Sequence, residues 1–233
     1  MEAQISFART QMTGELRAEN CVKGLAMSYC RWDLTSEENM RYHDTEWGVP
    51  LHDDRGQFEF LSLEVMQCGL SWGLMIKKRE IFRECFENFE FEKIAGYGEA
   101  EITRILSTEG MIRSRRKVEA IINNARRFLE IREEFGTFSK FLWDYTGGKT
   151  ILYNKHAEGY IPVSNGLSDK ISRELKRRGF QYVGPVTIYS HLQAAGLIND
   201  HDQNCPCRQK IIDLYPTTVR KRYLEKKISY YGD

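Results

Sequence analysis

Apolar runs long enough to cross a membrane are missing from this chain; none approaches the ~20 residues that a spanning helix requires. The opening residues, MEAQISFARTQMTGELRAEN, lack the apolar stretch of a secretory leader, so a reducing, cytoplasmic setting is expected. Cysteine is sparse, six in 233 residues, which excludes a disulfide-stapled scaffold. Neither sign of charge is in excess. The formal net charge is +1, so bulk electrostatics gives no argument for nucleic acid, and any such footprint must come from clustering. Repeats and low-complexity tracts are absent, and strand signals are few. What remains, 41% hydrophobic and 29% charged, is the composition of a globular protein with a real core, in one large domain or two small ones.

Histidine and tryptophan are scarce as well, five and four residues, so their placement carries information. The window Cys30–Pro50, CRWDLTSEENMRYHDTEWGVP, holds two of the four Trp together with a Cys, a His and several carboxylates. Cys30 and His43 have twelve residues between them, and far along the chain His201 and Cys205 stand in an H-x3-C spacing. Two Cys and two His in a reducing compartment suit tetrahedral zinc with no open position, a structural site joining the two ends of the fold. Such a site would stabilise chiefly by closing a very long loop. The same residues also fit a reading as core or surface side chains, and Cys207 offers a competing ligand. Asp44 or Glu46 could orient His43.

Helical periodicity dominates the chain beyond Pro50. Asp53–Cys68 reads as a helix, with Phe58, Leu61, Val65 and Cys68 at helical spacing. After Gly69, LSWGLMIKKREIFRECF resumes the pattern. A short helix over Ala100–Leu106 leads through the tight connection Glu109–Ser114 into the longest helix, Arg116–Phe135. Its apolar stripe is Val118, Ile121, Ile122, Ala125, Phe128 and Leu129. Phe138–Tyr145 is short, with Trp143 in the core, and Thr146–Leu167 is the long loop of the molecule. Ser168 is the expected N-cap of the next helix, which runs to Arg178 and stops at Gly179. Pro185 opens a helix carrying Ile188, Leu192 and Ala195. From Arg208 the chain is basic and Tyr-rich without a core pattern. The fold class is all-α.

Positive charge falls in short clusters: Lys77-Lys78-Arg79, Arg113 with Arg115-Arg116-Lys117, Arg126-Arg127, Lys176-Arg177-Arg178 and Arg220-Lys221-Arg222. Each taken alone fits solvated helix ends. The second follows Gly110 directly, between a short helix and a long one. Such a hairpin can seat a DNA phosphate on backbone N–H groups and the helix dipole. The candidate contacts are Gly110, Ile112, Arg113, Arg115 and Lys117. Glu64 stands in the apolar run FLSLEVMQCGLSW. It is either a helix-edge carboxylate in water or a pocket acid beside aromatic walls, because a carboxylate in such a run is costly unless paired or open to a cleft.

In chain order, CRW (30–32), YHDTEWGVP (42–50), Leu63-Glu64 with GLSW (69–72) and KKRE (77–80), GMIRSRRKVEAIINNAR (110–126), LSDKISRELKRRGFQYVG (167–184) and QAAGLINDH (193–201) followed by Cys205 resemble the 3-methyladenine DNA glycosylase I family. That family belongs to the helix-hairpin-helix superfamily. The resemblance covers roughly residues 30–207. It implies a mostly helical fold with a zinc-bearing region from 27–69 together with 165–207 and a central hairpin-bearing domain over 70–164; the extension over 1–26 and the basic tail over 208–233 are parts of the chain that it does not explain. It implies that Cys30, His43, His201 and Cys205 bind structural zinc. It further implies that Glu64 recognises the lesion base and that Tyr42 and Trp72 line its pocket, with Trp32 and Trp47 beside them.

The implied function is base-excision repair. A monomer would flip 3-methyladenine out of double-stranded DNA and hydrolyse its N-glycosidic bond, without lyase activity. Two alternatives stand beside this: a non-catalytic, zinc-containing damage-binding module, and a hairpin glycosylase of different base specificity. The latter would carry a Lys or Asp motif in Thr146–Leu167. That stretch has Lys149, Lys155 and Glu158 but no matching motif. The chain departs from the family pattern at Asn39, where an aromatic is common, at Ser164-Asn165-Gly166, at Val186 and at His191.

Overall fold

The computed structural model describes residues 30, 36–154, 156 and 161–220. The extension over 1–26, the end of the basic tail and Trp32 lie outside the described residues. Eleven α-helices are present among them, named in chain order α1 (Glu37–Thr45), α2 (Asp54–Gln67), α3 (Trp72–Lys77), α4 (Arg79–Cys85), α5 (Phe91–Ile94), α6 (Glu99–Ser107), α7 (Arg115–Phe135), α8 (Phe138–Asp144), α9 (Gly166–Arg177), α10 (Pro185–Ala194) and α11 (Pro206–Leu214). A 3-10 turn spans Glu87–Phe89.

Helix α2 is the axis of the fold, and its sequence dictates that position. Residues Gln57, Phe58 and Phe60 through Met66 are all buried, so it is covered around its whole circumference rather than along one stripe. It packs against α7, α8 and α10. Phe58 meets the ring of Phe128 of α7 edge-on at 5.3 Å, and Phe128 stacks on Phe138 of α8 at 4.1 Å. On α7, Val118, Ile121, Ile122, Ala125 and Phe128 are buried as the periodicity requires, and Leu129 is partly buried. Trp143 is in the core, with Nε1 donating to the Leu51 carbonyl at 2.9 Å.

Two expectations change. The fold is mostly helical rather than all-α, because β1 (Thr150–Tyr153) and β2 (Thr217–Arg220) pair in parallel, Thr150 opposite Thr217. On its other side Ile151 bridges Ile198, with the Ile151 N–H donating to Leu197 O at 2.8 Å. Strand β1 is only four residues long and buried at every one, so it shows no alternation for a period-two search to find. The segment after Arg208, which shows no core pattern in sequence, supplies β2 and most of α11. Helix α9 also starts earlier than expected. Its N-cap is Asn165, whose side chain accepts from the Leu167 and Ser168 N–H groups at 3.0 Å, while Ser168 Oγ accepts from Asn165 N–H at 2.9 Å. Ser168 is therefore the third-position partner in a capping box rather than the cap.

The strap between α1 and α2 lies against the end of α10. Gly48 N–H donates to Ala194 O at 3.3 Å and Leu51 N–H to Ala195 O at 3.1 Å. Gly196 allows this approach: a Cβ there would sit 2.5 Å from Val49 C and Pro50 N, and its φ is +74°.

Candidate functional site

Helix α1 presents adjacent residues to two different places. Tyr42 points into a cavity of about 320 Å³, and His43 into a cluster of metal-type donors. The cavity is walled by Tyr42 and Trp47 from the first window, Glu64 and Gln67 of α2, Trp72 at the start of α3, Ile161, and Ser190, Gln193 and Ala194 on one face of α10.

Glu64 resolves in favour of the pocket. It is 3% exposed, lines the cavity, and its Oε2 has no hydrogen-bond partner among the described residues. Burial without a compensating donor pushes its carboxyl up to about 8. Tyr42 and Trp72 form an aromatic corner beside it, their rings 5.4 Å apart and tilted by 47°. Burial, and next the Glu64 carboxylate, hold the Tyr42 phenol well above its ordinary range. Asn39 is buried in α1, 3.2 Å from where a Cβ on Gly73 would stand, and is not among the lining residues. The cavity-lining Gln67, Ser190 and Gln193 carry no assignable role in sequence. Gln193 opens one of the motif segments, but nothing in its spacing distinguishes it from a solvated helix end.

The donor cluster joins Cys30, His43, His201 and Cys205, all buried, with ligand atoms within 4.8 Å of one another. Its tautomers are set by the surroundings. His43 Nδ1 lies 2.9 Å from Asp44 Oδ1, and His201 Nε2 lies 3.1 Å from the Trp47 carbonyl. Both partners are acceptors, so each imidazole places its proton outward and turns a bare nitrogen, Nε2 of His43 and Nδ1 of His201, toward the two sulfurs. Asp44 fills the orienting role; Glu46 instead pairs with Arg79 at 2.6 Å. The Asp202 N–H donates to Cys30 Sγ at 3.3 Å. The hydrogen bond to Cys205, and then burial, push the Cys30 thiol up. This donor set could hold a metal ion. Cys207 lies outside it, 4.0 Å from His43 Nδ1 and 3.9 Å from Asp44 Oδ1.

Trp47 is the wall between the two places. It lines the cavity, meets the His201 ring edge-on at 4.5 Å and stacks on His43 at 6.0 Å.

The hairpin stands on the surface. Gly110, with φ +76°, turns the chain between α6 and α7, and Lys78 Nζ bonds its carbonyl. Ser114 makes no side-chain cap, so first-turn N–H groups of α7 are left for an outside acceptor. Arg113 and Arg116 are exposed there. Arg115 is shared with Glu99 and Glu119. Lys117 does not reach this surface: its ammonium donates to the Met66 and Cys68 carbonyls at 2.7 and 2.6 Å and caps the end of α2. Three of the other basic clusters are largely absorbed by the fold, and most of the fourth lies outside the described residues. Arg79 pairs with Glu46 and Glu59, Arg126 bonds the Ala95 carbonyl, and Arg178 pairs with Glu134 and Glu174.

Among known protein families, a model of the methyladenine glycosylase family matches residues 32–209. DNA-3-methyladenine glycosylase 1 of Escherichia coli strain K12 is 40% identical over 181 residues, covering 78% of this chain and 97% of that protein. The DNA-3-methyladenine glycosylase of Haemophilus influenzae is 37% identical over 179 residues, covering 77% of this chain and 97% of its own. Among solved structures, 3-methyladenine DNA glycosylase I of Staphylococcus aureus superposes with a TM-score of 0.74 at 39% identity, over 78% of this chain and 97% of that one. A single-residue variant of such an enzyme, solved in complex with 3-methyladenine, superposes with a TM-score of 0.73 at 38% identity, over 77% of this chain and 96% of that one.

Proposed function

Because the chain belongs to the methyladenine glycosylase family, we propose that its cavity receives a flipped 3-methyladenine and that the protein hydrolyses the bond joining that base to deoxyribose. The observation that carries the pocket assignment is Glu64, a buried carboxyl with an unpartnered oxygen, lying in a cavity bounded by Tyr42 and Trp72.

The chemistry suits that site. Adenine methylated at N3 is a cation when attached to the sugar and already a good leaving group. As the C1′–N9 bond breaks, its electron pair passes to the base, which departs neutral, and water adds to the oxocarbenium-like sugar to leave an abasic site. Little general-acid help is needed. Selection is the harder task, and it is electrostatic. The electron-rich faces of Trp72 and Tyr42 favour a cationic ring by about 2 kcal/mol when the contact is dry. Glu64 complements the charge and accepts from the base. Neutral adenine gains neither term. Extracting any base from the stack costs a few kcal/mol, least where pairing is already damaged.

The duplex would be gripped without regard to sequence by the hairpin, through the backbone at Gly110 and Ile112 and the side chains of Arg113 and Arg115. In the donor cluster the ion would be zinc. With Zn–N of about 2.0–2.1 Å and Zn–S of about 2.3 Å, a tetrahedral site needs donor separations of roughly 3.3–3.8 Å. The separations are 3.1 Å between the His nitrogens and 3.5–3.6 Å between nitrogens and sulfurs. Bound there, the metal supplies a cross-link between the ends of the chain and no step of the hydrolysis. The protein is monofunctional on this reading.

Release of free base from methylated DNA tests the whole. Wild type should release 3-methyladenine far faster than 7-methylguanine, and Glu64→Ala should fold, bind DNA and release neither. Wild-type rates in that variant would overturn the assignment of Glu64, and a borohydride-stable DNA adduct would overturn the monofunctional reading.

A further inference from the structure

Gln193 borders the cavity at the C-terminal end of α10, and the hydrolysis gives it no task. Its amide is not free to turn. Nε2 donates to Asp200 Oδ2 at 2.9 Å. The same oxygen accepts from the Tyr189 hydroxyl at 2.6 Å, and Asp200 Oδ1 lies 2.6 Å from His156 Nδ1. Asp200, Tyr189 and His156 are all buried. An oxygen already accepting two donors cannot receive an amide carbonyl, so reversing Gln193 would set acceptor against acceptor in a low-dielectric space. The network therefore commits the amide nitrogen to Asp200, and the carbonyl, which can take no part in it, is the acceptor that Gln193 keeps for another partner.

This matters because Glu64 alone does not read the purine 6-substituent. Its carboxyl, pushed up to about 8, holds a proton at neutral pH in the empty pocket and can donate as readily as it accepts. In that form it would serve an amino or an oxo group, and only its ionised minority is confined to accepting. An amide carbonyl only accepts. We propose that Gln193 is a specificity-determining residue, its carbonyl pinned toward the cavity by the buried Asp200–Tyr189–His156 network, where it accepts from the exocyclic amino group of the flipped base and so selects 6-amino over 6-oxo purines. The proposal rests on reading the cavity as the base pocket.

The test compares release of 3-methyladenine and 3-methylguanine from methylated DNA by wild type, Gln193→Met and Asp200→Asn. Gln193→Met keeps the length and removes the acceptor. Release of 3-methyladenine should fall about tenfold to a hundredfold, the worth of a hydrogen bond to a charged partner, with 3-methylguanine unchanged or raised. Asp200→Asn offers Gln193 a donor in place of an acceptor and frees its amide to turn, so the ratio should move the same way. Equal losses on both bases, or an unchanged ratio in Gln193→Met, would mean that Gln193 merely packs and would overturn the inference. Gln193→Met decides the matter even if Asp200→Asn fails to fold. Failure of wild type to release either base is a different result: the base-pocket reading falls, and this inference with it.

Discussion

Replacing Glu64 by Gln should erase one limb of the pH profile and, at the same time, tilt the stability curve. The side chain is buried, and desolvation moves its carboxyl from an ordinary 4.5 to about 8. The form that complements a cationic base is the ionised one. With a free-enzyme pKa near 8, roughly one molecule in ten carries it at pH 7, so kcat/KM for 3-methyladenine should climb about tenfold per pH unit and level off above about 8. Glu64→Gln, always neutral, should be flat and low, and the gap between the two proteins should narrow as pH falls. Stability runs the other way. The folded-state value lies above the unfolded one, so the folded protein holds a proton that the unfolded chain releases. The associated stability is fully present below about 4.5 and is lost as pH rises toward 8. At 1.36 kcal/mol per unit the whole interval is worth about 5 kcal/mol. Glu64→Gln should therefore match wild type near pH 4.5 and exceed it above pH 8. Single-turnover base release from pH 5 to 9, beside urea denaturation over the same range, measures both. A flat wild-type kcat/KM, or a Gln variant that keeps the slope, would refute the reasoning.

Stripping the zinc proposed for the donor cluster should lower the melting temperature before it affects activity at low temperature. By analogy with a disulfide closing a loop longer than 100 residues, the loss is about 5 kcal/mol; thermal melts with and without chelator, alongside base release, decide it, and immediate inactivation of a folded metal-free protein would argue for a catalytic ion. Arg113→Ala should weaken DNA binding equally across sequences and reduce the slope of log K against log salt by about one, read from titrations at several salt concentrations. Asn165→Ala removes a cap that serves two N–H groups and should cost about 1 kcal/mol in denaturant unfolding, with base release unchanged below the transition. Gly196→Ala should prevent the strap from closing on α10, since its Cβ would meet backbone rather than a side chain that can move; loss of soluble, cooperatively melting protein is the expected readout.

The sequence is legible where one interaction dominates. Helices α2 and α7 follow from spacing because burial of Phe58, Leu61, Val65 and the Val118–Phe128 stripe decides their faces. The four metal-type ligands can be paired across 171 residues because Cys and His are rare enough for their spacing to count. Strand β1 is not legible: four buried residues show no alternation, and its partner β2 lies more than sixty residues on. Ser168 reads as the cap in sequence because serine is a preferred N-cap, while in the fold Asn165 takes that place and Ser168 the third position. Lys117 belongs by sequence to an exposed basic cluster, yet its stem turns inward and its ammonium answers the end of α2, a choice made by a helix more than forty residues away. Glu64 has two readings of equal local merit. Only the packing of α2 on every side removes the one in which it faces water.

Adjacency along α1 explains how a cluster of metal-type donors and a cavity are tied together in one fold. Successive helical residues point about 100° apart, so Tyr42 and His43 cannot share a face. Fixing His43 to a buried cluster fixes the roll of α1, and with it the direction of Tyr42. Trp47 repeats the logic one turn further on. Its carbonyl holds His201 at 3.1 Å while its ring lines the cavity, so the acceptor that orients the cluster and the wall that shapes the pocket are one residue. Gly48 then passes so close that a Cβ would stand 3.1 Å from His201 Nε2, leaving no room for the strap to shift without moving the cluster. The zinc proposed for that cluster would need no part in the chemistry to matter for it: by fixing His43 it would set the angle at which the aromatic corner meets Glu64.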